Sequence, residues 1–160
     1  MDDSHLRVLE HLAADFRDAI ERARAERLPG ALPYFPDGAC RMTSRLFAQH
    51  LAGHPDAVFG RPQLVSGVLP GSEFLARHFW LEVEGIVIDL TADPFGEAAV
   101  VVGSRTPFHH SLTSLVADDA AQVLAALSAD ELARLARQLA AIESRLPPQL
   151  NLGVRPHTQF

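Results

Sequence analysis

Residues 77–91 read RHFWLEVEGIVIDLT, and this stretch decides the fold because it predicts two strands around a tight turn. Glu84-Gly85 suits a two-residue hairpin loop, since glycine tolerates the positive φ that such loops require. Side chains alternate along a strand, and residues paired across a hairpin share a face. One predicted face is apolar throughout: Phe79, Leu81, Val83, Ile86, Ile88 and Leu90. The other face carries His78, Trp80, Glu82, Val87, Asp89 and Thr91.

The second face brings His78 and Asp89 together as diagonal neighbours on the two strands. Diagonal Cβ atoms lie about 7–8 Å apart or somewhat less, within reach of a carboxylate–imidazole hydrogen bond. A loop one residue longer, without a bulge, would place the two side chains on opposite faces. Asp93 is a rival partner for His78, but it precedes Pro94 and suits a turn better. We therefore predict a hydrogen bond between His78 and Asp89.

Cys40 is the only cysteine of the chain and precedes residues 41–51, whose apolar spacing predicts a helix. Asp37 or Gly38 is expected to be the N-cap of that helix, which puts Cys40 in its first turn. There the helix dipole and the free backbone N–H groups lower the pKa of a thiol. The same N–H groups can hold a developing oxyanion.

A thiol, an imidazole and a carboxylate in this order point to Cys40, His78 and Asp89 as nucleophile, general base and orienting acid. Two plainer interpretations stay open. A cysteine beside apolar helix residues is most often a small buried hydrophobe. The three residues could instead bind zinc together with His109 or His110, although no close-spaced ligand pair such as C-x-x-C occurs.

Four short motifs resemble the transglutaminase-like branch of the papain-type cysteine enzymes. They are G-x-C at a helix start (Gly38, Cys40), a strand over 64–69, H-x-W-x-E (His78, Trp80, Glu82) and D-x-T (Asp89, Thr91). Together they span about residues 36–92. The resemblance implies an α+β, papain-like core, in which a nucleophile-bearing helix packs on a small antiparallel sheet flanked by additional N- and C-terminal helices.

The resemblance also implies roles for individual residues. The implied catalytic residues are Cys40, His78 and Asp89. Arg41 departs from the pattern, because many members of the family have an aromatic residue after the cysteine. No second oxyanion donor can be matched, and Tyr34 is a candidate. Tyr34 and Trp80, one wall of the expected cleft, are taken as substrate-binding residues, and no metal or cofactor is expected.

The activity that the resemblance implies is thiol-dependent acyl chemistry on amide bonds, by a peptidase, a deamidase or an acyl transferase. The expected partner is a peptide or protein amide, or a small-molecule acyl substrate. Two alternatives belong to other classes of protein. One is a catalytically silent relative that acts as a binding or immunity-type protein, and the other is a Cys/His/Asp metal-binding domain.

Composition limits the remaining possibilities. The chain has 160 residues, of which 48% are hydrophobic, so it is long enough for a substantial core. Its net charge of −6 argues against a nucleic-acid or anionic-membrane partner. A single cysteine and the lack of an N-terminal hydrophobic signal core favour a reducing, cytoplasmic location. All 14 basic residues are arginine, a bias typical of high-GC, bacterial coding.

The remaining sequence predicts a single domain over residues 1–146 and a C-terminal tail over 147–160. Helices are expected over 2–28, 114–127 and 129–145, the last with a capping box at Ser128–Glu131. A further strand is expected over 98–102.

Overall fold

The computed structural model describes residues 1–54 and 60–148 and shows a mixed α+β fold. Most of the expected tail, from residue 149 onward, lies outside the described residues. The helices are α1 (Asp3–Ala25), α2 (Cys40–Ala52), α3 (Pro107–Ser111), α4 (Ala120–Ala125) and α5 (Ala129–Glu143), with a short 3₁₀ helix at Asp93–Phe95. The strands are β1 (Gln63–Val68), β2 (Arg77–Val83), β3 (Ile86–Asp89), β4 (Val101–Gly103) and β5 (Thr113–Asp119). Of these helices, none is long and apolar enough to cross a membrane.

The five strands form one antiparallel sheet in the order β4-β3-β2-β1-β5. The predicted hairpin register is confirmed, because Leu81 pairs with Ile88 and Val83 pairs with Ile86. Positive φ angles of 49° at Glu84 and 79° at Gly85 match a type I′ turn, whose twist suits a two-residue hairpin. The side-chain faces of β2 and β3 are therefore fixed as the sequence pattern indicated.

Each face of the sheet packs against a different part of the chain. The apolar face of the hairpin lies in the main core beneath α1, α2, α4 and α5; its buried residues there are Leu81, Val83, Ile88 and Leu90. On the opposite face a smaller cluster forms around Val65, Trp80, Val87 and Leu112, with Phe108 of α3 packed against it. The segment 105–112, named the capping segment below, thus covers the polar face of the hairpin.

The helix predicted over 114–127 is wrong in its first half. Residues 113–119 form β5, which pairs with the free edge of β1, and helix α4 begins only at Ala120. Asp119 ends the strand and caps α4, because its side chain accepts a hydrogen bond from the Ala121 N–H. Residues 113–119 gain backbone hydrogen bonds by pairing with the open edge of β1, and this tertiary contact overrides the helical spacing of their apolar residues.

Other boundaries are closer to the prediction. Helix α1 ends at Ala25 rather than at residue 28, and β4 covers the last two residues of the expected strand over 98–102 and one residue beyond it. The capping box of α5 is confirmed: the Ser128 hydroxyl accepts from the Glu131 N–H, and the Glu131 carboxylate accepts from the Ser128 N–H. Apart from residues 113–119, the predicted helices and strands therefore exist, and their ends differ from the prediction by a few residues.

Candidate active site

The candidate site lies where β2 extends beyond its neighbour β3. Strand β2 pairs with β3 only from Leu81 to Val83, so the backbone around Arg77 and Phe79 has no partner strand on that side. The start of α2 occupies this gap. The Cys40 sulfur lies 4.0 Å from the carbonyl oxygen of Arg77, and the Phe79 N–H also points to the sulfur.

Helix α2 begins at the nucleophile candidate itself. Ala39 is the N-cap, not Asp37 or Gly38 as expected, and Gly38 turns the chain with a φ of 64°. No side chain caps this helix. Its first N–H groups therefore remain available to the thiol and to a charge that develops beside it. The Cys40 side chain itself is half-buried.

Asp89 is the centre of a buried hydrogen-bond network. Its Oδ2 accepts from Nε2 of His78 at 2.7 Å, which confirms the predicted pair, and from Nε2 of His109 at 2.9 Å. Its Oδ1 accepts from the Thr91 backbone N–H at 2.9 Å. The side chain of Asp89 has no exposed surface, so these protein donors replace water around the carboxylate.

The tautomer of His109 follows from its other nitrogen. The Thr106 backbone N–H donates to Nδ1 of His109 at 3.2 Å, and the Thr106 hydroxyl lies 3.0 Å from the same atom. A backbone N–H can only donate, so this Nδ1 is an acceptor. His109 is therefore a neutral imidazole that carries its proton on Nε2 and donates it to Asp89.

The network shifts the pKa of all three candidate catalytic groups. Burial raises the pKa of Asp89, but hydrogen bonds from His109 and His78 outweigh it and bring the pKa to about 2. Burial lowers the pKa of His78, but its bonds to Asp89 and Cys40 raise it to about 9. Burial also raises the pKa of the Cys40 thiol, and the hydrogen bond and charge of His78 more than offset this, leaving the pKa below its usual value. These directions favour a thiolate–imidazolium pair at neutral pH.

A metal would have to share the atoms of this network. Ligand atoms of His78, Asp89 and His109 all lie within 4.8 Å of one another. Zinc bound at about 2.0–2.1 Å in a tetrahedral site keeps its ligand atoms about 3.3 Å apart. Both Nε2–Oδ2 distances are shorter than that, at 2.7 and 2.9 Å, and the His109 nitrogen already carries a proton. The arrangement thus fits a hydrogen-bonded network and not a metal centre.

Trp80 and Tyr34, the two expected substrate-binding residues, lie in opposite environments. Trp80 is 0% exposed, and its indole N–H donates to Glu82 at 2.9 Å. Its ring meets the rings of His109 and His78, with centroids 5.0 and 6.0 Å away. In this conformation Trp80 supports the two imidazoles and offers no surface to a substrate. Tyr34 is 81% exposed, in the loop that leads to Cys40.

An aromatic pair covers His78 instead. Phe95 and Phe108 stack on each other with ring centroids 4.7 Å apart, and each lies edge-on to the His78 ring at 5.2 Å. As a result His78 is only 1% exposed, while Phe95 keeps 43% of its surface in contact with solvent. Access to the imidazole therefore runs along the Cys40 side or requires this aromatic pair to move.

Asp93, the rival carboxylate, belongs to a different contact. Its two oxygens accept from the Arg17 guanidinium of α1 at 2.7 and 2.9 Å. Arg17 is buried and also donates to the carbonyl oxygens of Leu90 and Ala99. This arginine thus holds the chain segment that follows β3, and with it the position of Phe95.

A cavity of about 400 Å³ opens elsewhere in the molecule, between α2, α4 and α5. It is apolar, and its lining includes Ala48, Ala52, Leu124 and Leu132. None of its lining residues belongs to the Cys40 network. The candidate chemistry is therefore at the sheet edge and not in this cavity.

The sequence patterns do not place His109 beside Asp89 and suggest it only as a candidate zinc ligand. Twenty residues separate it from Asp89, so no strand parity relates the two. A usable signal was present nearby: Thr106-Pro107 matches an N-cap followed by proline at the first helical position. That reading makes His109 the third residue of a helix, where a side chain can turn back to the N-cap backbone.

We compared the chain with protein-family models, with curated proteins and with solved structures, and none of them matches it.

Proposed function

We propose that this protein is a thiol-dependent enzyme of acyl chemistry on amide bonds, with a papain-like core similar to that of the transglutaminase-like enzymes. The observation that carries the proposal is the contact series Cys40–His78–Asp89. In it, an imidazole with a pKa of about 9 stands between a buried carboxylate and a thiol whose pKa is lowered. A buried structural thiol has no such partners, and burial alone would raise its pKa.

The acylation step uses each group in turn. Because Nε2 of His78 is bound to Asp89, Nδ1 is the nitrogen left for the thiol. The Cys40 thiolate attacks the amide carbonyl, so an S–C bond forms and negative charge collects on the carbonyl oxygen. The backbone N–H of Cys40 itself, at the uncapped start of α2, is the hydrogen-bond donor that we assign to that oxygen. The imidazolium then protonates the leaving amine as the C–N bond breaks.

The second step regenerates the thiol. His78 is now neutral and removes a proton from water or from a second amine, which attacks the thioester carbonyl; the S–C bond then breaks, the acyl group leaves on the acceptor, and Cys40 returns as a thiolate beside the imidazolium. Asp89 remains a carboxylate throughout and stabilises the imidazolium whenever it forms. Hydrolysis, deamidation and transfer differ only in the leaving amine and the acceptor, and all three use this set of residues.

Activity-based labelling tests the proposal. We expect a thiol-directed electrophile to modify Cys40 rapidly at pH 7, and a screen of peptide amides to yield product only with the unmodified protein. Cys40→Ser and His78→Gln should both abolish turnover. The matched control is His110→Gln, which changes an exposed histidine next to the network and should leave turnover unaffected.

A different outcome would assign the protein to another class. If Cys40→Ser retained amide turnover, the nucleophile would lie elsewhere and the proposal would be wrong. The 1% exposure of His78 beneath Phe95 and Phe108 favours one second candidate, a catalytically silent binding protein. In that case Cys40 would be modified slowly at pH 7, and Phe95→Ala, which uncovers the imidazole, would accelerate its modification.

A further inference from the structure

We propose that His109 is a positioning residue for the thiol chemistry: its Nε2–H fixes Oδ2 of Asp89 opposite His78. The inference rests on the proposed function and extends the site by one residue. Cys40, His78, Asp89 and His109 then form a continuous series, in which His109 acts only through Asp89 and does not touch the reacting atoms.

The first support is the shared oxygen. Oδ2 of Asp89 accepts from both imidazoles, at 2.7 Å from His78 and 2.9 Å from His109. The side chains of Asp89 and His109 are both 0% exposed, so water cannot replace either bond. Without the His109 donor, a buried oxygen would lose a partner, and the Asp89 carboxylate would no longer be held in its position opposite His78. The hydrogen bond from His109 correspondingly lowers the pKa of Asp89.

The second support is the way in which the chain holds His109. Thr106 binds its Nδ1, which fixes the tautomer and aims the Nε2–H at Asp89. Arg105, the preceding residue, makes two hydrogen bonds to the Glu82 carboxylate of β2, at 2.7 and 3.1 Å. The capping segment therefore bonds to the hairpin on both sides of Thr106, through Arg105 and through His109. The His109 ring cannot rotate without losing its hydrogen bonds to Thr106 and Asp89.

The charged groups around the network can be named, and substitutions at residue 109 change none of the others. The ionisable groups that contact Asp89 are His78 and His109, and Cys40 lies beyond His78. Glu82 with Arg105 and Asp93 with Arg17 are ion pairs near the network, and Arg41 and Arg77 adjoin Cys40 and His78 in sequence. Because the polar contacts of the His109 ring are Asp89 and Thr106, a change at residue 109 that alters the ionisation of Cys40 is expected to act through Asp89 and His78.

Two amide substitutions separate positioning from structural support. Glutamine places an N–H near the position of Nε2, so His109→Gln keeps a donor to Asp89 and loses the acceptor for Thr106. Asparagine places its oxygen near the position of Nδ1, so His109→Asn keeps the acceptor for Thr106 and loses the donor. The readout is the alkylation rate of Cys40 by iodoacetamide as a function of pH, which a purely structural role would not move.

We expect His109→Asn to raise the midpoint of alkylation by about one pH unit, a tenfold loss of thiolate at any pH below both midpoints. His109→Gln should stay near the wild-type midpoint. An unchanged midpoint in His109→Asn would overturn the inference. Equal shifts in both variants would also overturn it, because the imidazole ring and not the donor would then matter.

A measurement on the unmodified protein covers the case in which a variant fails to fold. The ¹⁵N chemical shifts of His109 should show an unprotonated Nδ1 and a protonated Nε2, and a proton on Nδ1 would overturn the inference. Failure of the proposed function itself gives a different result. If His78→Gln also leaves the alkylation profile of Cys40 unchanged, the thiol is not activated, whatever His109 does.

Discussion

Replacing Asp89 by asparagine removes one negative charge from the network and keeps its shape. The pKa of about 9 at His78, against the usual 6.5, corresponds to about 3 kcal/mol in favour of the imidazolium. Asp89 supplies the largest part of this stabilisation, and burial opposes it. In Asp89→Asn the buried imidazole should therefore be neutral at pH 7, and the thiol should lose the charge that lowers its own pKa.

The expected magnitude follows from the ordinary pKa of a thiol. If the pKa of Cys40 in the variant returns to about 8.5, only about 3% of the thiol is ionised at pH 7. Alkylation at that pH should then slow by up to about 30-fold relative to a fully ionised thiol. The assay is the rate of iodoacetamide incorporation between pH 5 and 10, and the chain's single cysteine makes the mass change unambiguous.

The control is Asp37→Asn, which removes an exposed carboxylate three residues before Cys40 and outside the network. It should leave the alkylation midpoint nearly unchanged. Thermal melts of both variants show whether the native state is populated during labelling. A folded Asp89→Asn protein with the wild-type midpoint would refute the reasoning, because the thiol would then be ionised without help from the carboxylate.

Three further predictions concern stability. Cys40→Ala should abolish amide turnover and barely change the melting temperature, whereas Leu81→Ala, on the core face of β2, should cost about 2–5 kcal/mol of unfolding free energy; equal melting temperatures would return Cys40 to a packing role. His50 is buried, and burial followed by the charge of His54 lowers its pKa to about 4, so between pH 6.5 and 4 only the unfolded chain takes up the proton. The free energy of unfolding should therefore be greatest above pH 6.5 and fall by up to about 3 kcal/mol towards pH 4, as measured by urea titrations at each pH. In His50→Leu this free energy should depend less on pH. Gly67→Ala should displace the capping segment, because a Cβ at residue 67 would lie 2.7 Å from Leu112 Cβ; a melting temperature equal to wild type, with unchanged alkylation of Cys40, would contradict this.

The hairpin was predictable because its rules are local. A two-residue loop sets the register, and the side-chain alternation then determines which residues share a face. For this reason the His78–Asp89 hydrogen bond followed from the sequence alone. The position of Cys40 at the start of a helix was predictable from the apolar spacing of residues 41–51, although Ala39 and not Asp37 or Gly38 is the N-cap.

The parts that were missed depend on contacts between distant segments. Strand β5 forms because β1 offers an open edge, a tertiary effect that the helical spacing of residues 114–127 does not reveal. His109 reaches Asp89 because the capping segment crosses the polar face of the sheet near Gly67, where the absence of a side chain permits close approach. Periodicity within one segment carries no information about either arrangement.

The candidate site is assembled from four elements, since its residues lie on α2, β2, β3 and α3. An unfolded chain brings none of them together, so its thiol should ionise like that of a free cysteine. At pH 6 the folded protein should therefore react with iodoacetamide faster than the urea-unfolded chain, the reverse of what burial alone produces. The one sulfur would then act as a built-in reporter of folding, with loss of reactivity marking the moment at which the native structure opens.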